Sequence, residues 1–483
     1  MSLRDKTISG IFWSFLQQAG GRGISFLITI VLARLLSPQD FGLIGILMIF
    51  IQISQTLVNG GFRLALIQKK EVDDEDYSSV FYINLVVSCV AYLLIYITAP
   101  FIAVFYNQPI LTDLVRLLAL VFIINAFSYV QEAHLNKDLR FKTLMFIHLP
   151  SNIFGGVVSI GMAMLGFGVW SIVAMQLLTR LAYAIQIWIY SKWKPLFSFN
   201  KNKAKNLFSF GYKLMISDII HTIYNNIYVV IIGKFFPVSV VGYYQNSFTM
   251  VDAPSSTITG VLSVVTFPIF SSIQDDLKKL KKGYKTVMQQ AFFWICPFYV
   301  FLGFLAIPLF RFIFTEKWLP SVPFFQWLCV WGILAPMIIY NLNIVNVIGR
   351  SDVFLKLELT RKIISIVAII FVIPYGITAL LIVQAISTVF TFLLFSYFAG
   401  RFIQYTMIEQ VKDILPTLLL SFAIGLIVFF IDQSIKNLTD IVRLIIGFLT
   451  GWGVYLLLAK YFKFIPFIDF KNIFQNKILQ KFK

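Results

Sequence analysis

Long apolar segments separated by short polar connections run through the whole chain. An apolar helix of about 20 residues crosses the hydrocarbon core of a bilayer, and in lipid such a helix satisfies its own backbone hydrogen bonds. The pattern therefore predicts an all-α polytopic membrane protein with about 14 transmembrane helices. The predicted spans are 8–35, 43–66, 78–105, 111–135, 143–166, 168–191, 207–236, 240–270, 288–314, 321–348, 353–374, 376–400, 414–432 and 441–462.

Lysine and arginine are concentrated in every second connection between these spans. Thirty of the 40 basic residues belong to the connections on the side where the chain starts, Arg361 and Lys362 among them, and seven belong to the opposite side. By the positive-inside rule, both termini are cytoplasmic and the number of crossings is even. The three remaining cations, Arg22, Arg180 and Lys213, lie within predicted spans.

Composition excludes a soluble fold with a single anchor, because 59% of the residues are hydrophobic and only 13% are charged. The net charge of +18 is spread over many short loops. This distribution indicates topology and contact with anionic membrane lipids, and no nucleic acid partner. The three cysteines all fall inside spans, so neither a disulfide framework nor a metal site is predicted.

A short sequence pattern recurs after 200 residues. Ala33–Gly42 and Gly233–Gly242 both run from a small residue and a cation through two large apolar residues to a proline-containing turn and a glycine. A repeat of six spans inserts twice in the same orientation and predicts two six-helix bundles in a parallel repeat, related by an axis along the membrane normal. The alternative is a chance recurrence.

The repeat predicts a division of the chain into four parts. The first is an N-terminal six-helix lobe over 1–191, and a cytoplasmic linker follows over 192–205. A C-terminal six-helix lobe covers 206–402. Two additional helices and a basic cytoplasmic tail complete the chain over 403–483.

Charged side chains at membrane depth are costly, and they usually face a cavity or a partner. Arg22 lies near the middle of the first span within Gly20–Gly23, and Arg180 lies in the middle of the sixth. Their guanidinium groups suit a phosphate-bearing ligand. The alternative for Arg22 is a structural ion pair with Asp218 or Asp252.

The seventh span carries a polar helical face in an otherwise apolar segment. Lys213, Ser217, His221 and Asn225 follow one another in steps of four residues. We assign Lys213 and Asn225, with the two arginines, to the substrate cavity. Asp218, His221 and Asp252 are candidates for carrying a coupling proton or sodium ion, because a buried carboxylate can hold a proton at neutral pH.

The motifs of known enzymes are absent from this sequence. It has no Gly-x-x-x-x-Gly-Lys-Ser/Thr phosphate loop, no paired-histidine metal motif and no nucleophile elbow. Membrane-embedded polysaccharide polymerases are the rival enzyme class, but they need a sizeable loop outside the membrane. The outer connections here have only a few residues each, so we predict neither an enzyme nor a cofactor.

Several motifs resemble those of bacterial polysaccharide transporters, the Wzx-type flippases. Leu32–Gly42 resembles their first helix and turn, and His134–Lys142 resembles their fourth inner loop. Further similarities cover about the first 350 residues. They include Gly166–Ser171, Trp193–Pro195, Leu207–Gly211, Tyr224–Asn226, Gly233–Phe236 and Gly242–Tyr244.

The resemblance implies membership of the multidrug/oligosaccharidyl-lipid/polysaccharide exporter superfamily. It implies that undecaprenyl-diphosphate-linked oligosaccharide repeat units move from the inner to the outer leaflet of the bacterial cytoplasmic membrane by alternating access. Arg22 best suits a role near the diphosphate. A polysaccharide polymerase and a chain-length regulator are candidate partners. The alternative is a multidrug cation antiporter of the same superfamily, which would favour an acidic cavity.

Overall fold

The computed structural model describes residues 3–59, 72–200, 212 and 215–472, and these residues form helices and no strands. The first unit of the fold contains α1 to α9. They are α1 (Leu3–Leu35), α2 (Pro38–Asn59), α3 (Asp74–Tyr106), α4 (Leu111–Leu118), α5 (Leu120–Lys137), α6 (Phe141–Met164), α7 (Val169–Tyr190), α8 (Met215–Asn225) and α9 (Ile227–Phe235). The all-α prediction is confirmed.

The later helices begin with α10, which runs from the first unit into the second. They are α10 (Val238–Ser272), α11 (Leu277–Phe304), α12 (Ala306–Phe314), α13 (Val322–Val347), α14 (Ser351–Val372), α15 (Ile377–Ile403), α16 (Met407–Ser434) and α17 (Asp440–Tyr461), with a short helix α18 over 465–472. Two 3-10 helices, Glu316–Ser321 and Ile373–Tyr375, precede α13 and α15.

Nine of the described helices are long and apolar enough to cross a membrane. The number is ten if α8 and α9, which meet at a 45° bend, count as one span. The protein is therefore a multi-pass membrane protein, and the count of fourteen spans stays a prediction. One reason for the difference is α14, which carries five charged residues.

The chain divides into two compact units, Met1–Gln245 and Asn246–Lys483. The predicted division into two six-helix lobes, a linker and two additional helices stays a prediction. Residues 201–205 of the predicted linker lie outside the described residues.

Polar contacts order the start of α3 in the first unit. Asp73 caps the helix, and its side chain accepts a hydrogen bond from the Asp76 backbone N–H at 2.8 Å. The hydroxyls of Ser78 and Ser79 accept hydrogen bonds from the backbone N–H groups of Leu196 and Asn200. The segment after α7 is thereby tied to the first turns of α3.

Small residues allow close helix packing in both units. In the first unit, Gly155 of α6 lies against Thr179 of α7. In the second unit, Gly447 of α17 lies against Leu305, and Gly425 of α16 lies against Phe304 at the end of α11. Helices that lack a hydrophobic driving force between them in lipid gain dispersion contacts in this way.

The two glycines that end the repeated sequence pattern meet in the first unit. A Cβ atom on Gly242 would lie 3.2 Å from the backbone nitrogen of Gly42 and 2.0 Å from the carbonyl oxygen of Pro38. The first turns of α2 and α10 therefore cross in backbone contact.

Candidate functional site

Arg22 lies in α1, and its side chain is exposed in the structure. The flanking glycines serve two purposes. Cβ atoms on Gly20 and Gly21 would lie 3.4 Å from Leu149 and 3.6 Å from the Asn152 Nδ2 atom, so these two positions pack on α6. A Cβ atom on Gly23 would meet nothing within 4 Å. The glycine cluster therefore combines helix packing with open space beside the arginine.

Arg180 lies in α7 on the other side of α6 from α1, and its side chain is half-buried. Around it, α6 and α7 are joined by polar contacts. The Gln186 side-chain amide donates a hydrogen bond to the Ser151 hydroxyl at 2.9 Å, and the rings of His148 and Tyr183 lie 4.4 Å apart. Among the residues that the structure describes, Arg180 itself has neither a hydrogen bond nor an ion pair.

The predicted polar face of the seventh span lies partly within the described residues. Asp218, His221 and Asn225 are exposed on α8, and Asn225 is its last residue. Lys213 lies outside the described residues. Asp252, the remaining candidate, is half-buried on α10 in the second unit. The roles given to these residues stay predictions.

A hydrogen-bonded junction at the bend between α8 and α9 is a feature that the sequence analysis missed. The Asn226 side-chain amide donates to the Gln52 side-chain oxygen at 2.9 Å and to the Thr222 carbonyl oxygen at 2.8 Å. The hydroxyls of Thr56 and Thr222 lie 3.5 Å apart. These contacts tie the bend to α2. The motif Tyr224–Asn226 was visible in the sequence, but the partner Gln52 lies 174 residues earlier in the chain.

A charged cluster lies on α14, where the sequence analysis counted Arg361 and Lys362 with the basic residues of the inner side. Arg361 is the eleventh residue of α14, about 15 Å along the helix from Ser351. Its Nη2 atom lies 2.8 Å from Glu358 Oε2, and Lys362 Nζ lies 3.8 Å from the same oxygen. We call Glu358, Arg361 and Lys362 the α14 triad. The i, i+3 and i, i+4 spacing could have identified it.

A cavity of about 520 Å³ lies in the first unit between α2, α3 and the α8–α9 pair. Its lining is almost entirely apolar, and it suits a hydrocarbon chain better than a sugar. The lining residues are Ile49, Phe50, Ile53, Thr98, Phe101, Ile102, Phe105, Tyr106, Ile223 and Val230.

Comparison with known proteins identifies the family. The model of the family described as "Polysaccharide biosynthesis protein" matches residues 31–323, which is more than half of the chain. The chain belongs to this family. The resemblance that the motifs from Leu32 to Tyr244 indicated is thereby confirmed.

Two curated relatives agree with this membership. The chain is 25% identical over 450 residues to the lipopolysaccharide biosynthesis protein WzxC of Escherichia coli, covering 88% of this chain and 89% of the relative. It is 25% identical over 333 residues to the succinoglycan biosynthesis transport protein ExoT of Rhizobium meliloti, covering 68% of this chain and 67% of the relative.

The fold is similar to that of a solved transporter. The structure of the lipid II flippase MurJ in an inward closed conformation matches with a TM-score of 0.73 at 16% sequence identity, covering 94% of this chain and 98% of that chain. The chain therefore shares the overall fold of this transporter.

Proposed function

We propose that this member of the polysaccharide biosynthesis protein family is a flippase. It moves undecaprenyl-diphosphate-linked oligosaccharide repeat units from the inner to the outer leaflet of the bacterial cytoplasmic membrane, by alternating access. The observation that carries the proposal is the family match over residues 31–323. The transport role named for ExoT and the flippase role named for MurJ support it.

Cations at membrane depth explain how such a substrate is recognised. A diphosphate presents several anionic oxygens, and a guanidinium meets two of them at once in a fork-like geometry. Arg22 on α1 and Arg180 on α7 supply such groups within the first unit. The Arg22 side chain is exposed and that of Arg180 is half-buried, so both are accessible to a ligand. We assign the diphosphate to these arginines, with Lys213 and Asn225 as further contacts.

The rival functions need different chemistry. A multidrug cation antiporter requires acidic groups where its substrate binds, whereas Arg22 and Arg180 are basic. A polymerase requires a catalytic loop outside the membrane, and the connections between the described helices α1 to α7 are only a few residues long, apart from the segment between α2 and α3. We therefore propose a transporter without catalytic activity and without a cofactor.

Net export needs a driving force, and the sequence has no ATP-binding loop. Asp218 with His221, or Asp252, would carry a proton or sodium ion inward as the substrate moves outward. Transport that is indifferent to imposed proton and sodium gradients would exclude this coupling.

The leaflet distribution of the substrate tests the proposed function in cells. After deletion of the gene, lipid-linked repeat units should accumulate on the cytoplasmic leaflet, and the polymerase and chain-length regulator should lack substrate outside. Normal flipping together with reduced polymerisation would instead assign the protein to polymer assembly.

A further inference from the structure

Lys234, near the end of α9, lies beside the apolar cavity of the first unit. Its Nζ atom donates a hydrogen bond to the Phe105 carbonyl oxygen at 2.7 Å and lies 4.4 Å from the centre of the Phe105 ring. Phe105 also lines the cavity. Val230, another lining residue, precedes Lys234 by one turn on the same side of α9. The cation and the cavity are therefore direct neighbours.

Gly233 allows α9 to approach α2 and α3 closely at this point. A Cβ atom on Gly233 would lie 2.9 Å from the Tyr106 Cε1 atom and 3.1 Å from the Ile46 side chain. A larger residue would push α9 away from both helices. The glycine thus helps to hold the neighbouring Lys234 against the end of α3.

The Lys234 ammonium group is available to an anion. It has three donors, and the Phe105 carbonyl oxygen takes one of them. The side chain is exposed, and no carboxylate in the described part of the chain forms an ion pair with it. α2 begins, and α3 and α9 end, at connections that the positive-inside rule places outside. Lys234 therefore offers donors at the predicted outer boundary of the membrane.

The cavity suits a hydrocarbon chain that enters from this boundary. Among its lining residues only Thr98 and Tyr106 carry a hydroxyl group, and that of Thr98 donates to the Leu94 carbonyl oxygen at 2.8 Å. Apolar cavities hold little ordered water, so a hydrocarbon enters at low cost. From Thr98 to Tyr106 the lining extends about 12 Å along α3. Phe101 and Phe105 are exposed as well as lining the cavity, which therefore opens on the surface of the first unit.

The arrangement beside Lys234 favours one class of lipid. In a phospholipid, a glycerol unit and two ester groups separate the phosphate from the chains, and these polar groups would lie against the apolar lining. In a polyprenyl diphosphate, a single chain is bonded directly to the diphosphate. An anion on Lys234 that is followed at once by hydrocarbon matches the second structure.

We propose that this cavity binds the polyprenyl chain of the lipid-linked substrate while Lys234 binds its diphosphate. The inference rests on the proposed function, because it takes the lipid-linked oligosaccharide as the ligand. Arg22 and Arg180 hold the diphosphate at membrane depth, and Lys234 holds it after it has crossed. The site is a second position of the substrate, from which the lipid leaves for the outer leaflet.

Photo-crosslinking tests where the chain lies. The probe is farnesyl diphosphate with a diazirine at the far end of its chain, added to the full-length protein in nanodiscs of phosphatidylcholine. Tandem mass spectrometry locates the labelled residues. With the diphosphate on Lys234, the diazirine should label the deep end of the cavity, at Ile53, Thr98 or Ile223. Unlabelled undecaprenyl diphosphate should suppress this labelling, and phosphatidylglycerol at the same concentration should not.

Charge at the cavity entrance is tested by two matched substitutions. Lys234→Gln should lower the affinity for the probe about tenfold, because a hydrogen bond to a charged group is lost. Lys234→Arg should keep most of it. Arg116→Gln is the control. Arg116 also lies over an aromatic ring, at 4.3 Å from the centre of Tyr96, and donates to the Tyr96 carbonyl oxygen, but Tyr96 does not line the cavity.

The volume of the cavity is tested by adding a side chain. Val230→Phe fills the cavity beside Lys234 and should abolish labelling of its deep end. Val104→Phe places the same side chain on the exposed surface of α3 and should label as wild type does. If Val230→Phe does not fold, Thr98→Phe, at an exposed lining position, makes the same test.

Three results would overturn the inference. The first is labelling of folded wild-type protein only outside the cavity. The second is equal suppression by phosphatidylglycerol, which would assign the cavity to bilayer lipid. The third is unchanged affinity in Lys234→Gln. The proposed function fails separately, if wild-type protein in vesicles does not flip lipid-linked oligosaccharide, whatever the probe labels.

Discussion

Gly42 and Gly242 make reciprocal contacts. A Cβ atom on Gly42 would lie 1.9 Å from the carbonyl oxygen of Val238, and one on Gly242 would lie 2.0 Å from the carbonyl oxygen of Pro38. Pro38 and Val238 occupy equivalent positions in the repeated sequence pattern. A two-fold relation between two segments produces such a contact, because each segment places its glycine against the equivalent backbone carbonyl of the other. The finding concerns this crossing of α2 and α10, and the wider six-span repeat stays a prediction.

Alanine at either glycine should disrupt this crossing. A methyl group at Gly42 or Gly242 would overlap a backbone carbonyl oxygen, which cannot move as a side chain can, and overpacking of this kind costs about 1–3 kcal/mol. We expect Gly42→Ala and Gly242→Ala each to lower folded yield and thermal stability in detergent.

Gly161→Ala is the matched control for these substitutions. A Cβ atom at this helical position would meet nothing within 4 Å, so the variant should be as stable as wild type or slightly more stable. Wild-type stability of Gly42→Ala would show that α2 and α10 do not cross as described.

The helices could be predicted from the sequence because a run of apolar residues indicates a membrane helix without information from the rest of the chain. Hydrophobicity and the distribution of cations located helical segments without any knowledge of packing. The Gly42–Gly242 contact could not be predicted in this way, although the repeat that contains it was visible. The ion pairs of Arg361 and Lys362 with Glu358 were missed because cations were counted without the acidic residues one helical turn away. The bend at Asn226 was missed because no proline marks it.

The ion pair between Arg443 of α17 and Asp432 of α16 should stabilise the two C-terminal helices. The guanidinium binds both carboxylate oxygens, at 2.9 and 2.7 Å, and Arg443 is only 4% exposed. Removal of one partner leaves a buried charge and costs about 3–5 kcal/mol. Arg443→Met should therefore lower the melting temperature measured by intrinsic fluorescence. The double variant Asp432→Leu/Arg443→Met should recover most of the loss, and an equally unstable double variant would contradict this assignment.

Substitution by alanine should have different effects at the adjacent residues Asn225 and Asn226. Asn226 links the α8–α9 bend to Gln52, so Asn226→Ala should cost about 1 kcal/mol of stability. Asn225 is exposed, and a role in substrate binding predicts that Asn225→Ala lowers transport without lowering stability. Thermal unfolding and transport per folded molecule, measured on both variants, separate the two roles. Equal transport by Asn225→Ala and wild type would remove Asn225 from the substrate site.

Replacement of Arg22 should lower the rate of transport and leave folding unchanged. The loss of a charge-assisted hydrogen bond pair costs about 1.5–3 kcal/mol, which corresponds to a rate about ten- to a hundredfold lower. We expect this loss for Arg22→Ala at normal abundance, and partial recovery for Arg22→Lys, which keeps the charge but not the fork. A structural ion pair predicts instead that Arg22→Ala lowers abundance and that additional removal of Asp218 or Asp252 restores it.

Reconstitution of the purified protein tests the central claim most directly. Vesicles are loaded with undecaprenyl-diphosphate-linked oligosaccharide labelled in its sugar, and a membrane-impermeant quencher reports the fraction of label in the outer leaflet. After the outer label has been quenched, wild-type vesicles should continue to lose fluorescence as inner substrate crosses. Protein-free vesicles should stop near the outer-leaflet fraction, and Arg22→Ala vesicles should lose the remaining fluorescence about ten- to a hundredfold more slowly than wild type. Folded wild-type protein that leaves the inner label as protected as in protein-free vesicles would contradict the assignment as a flippase.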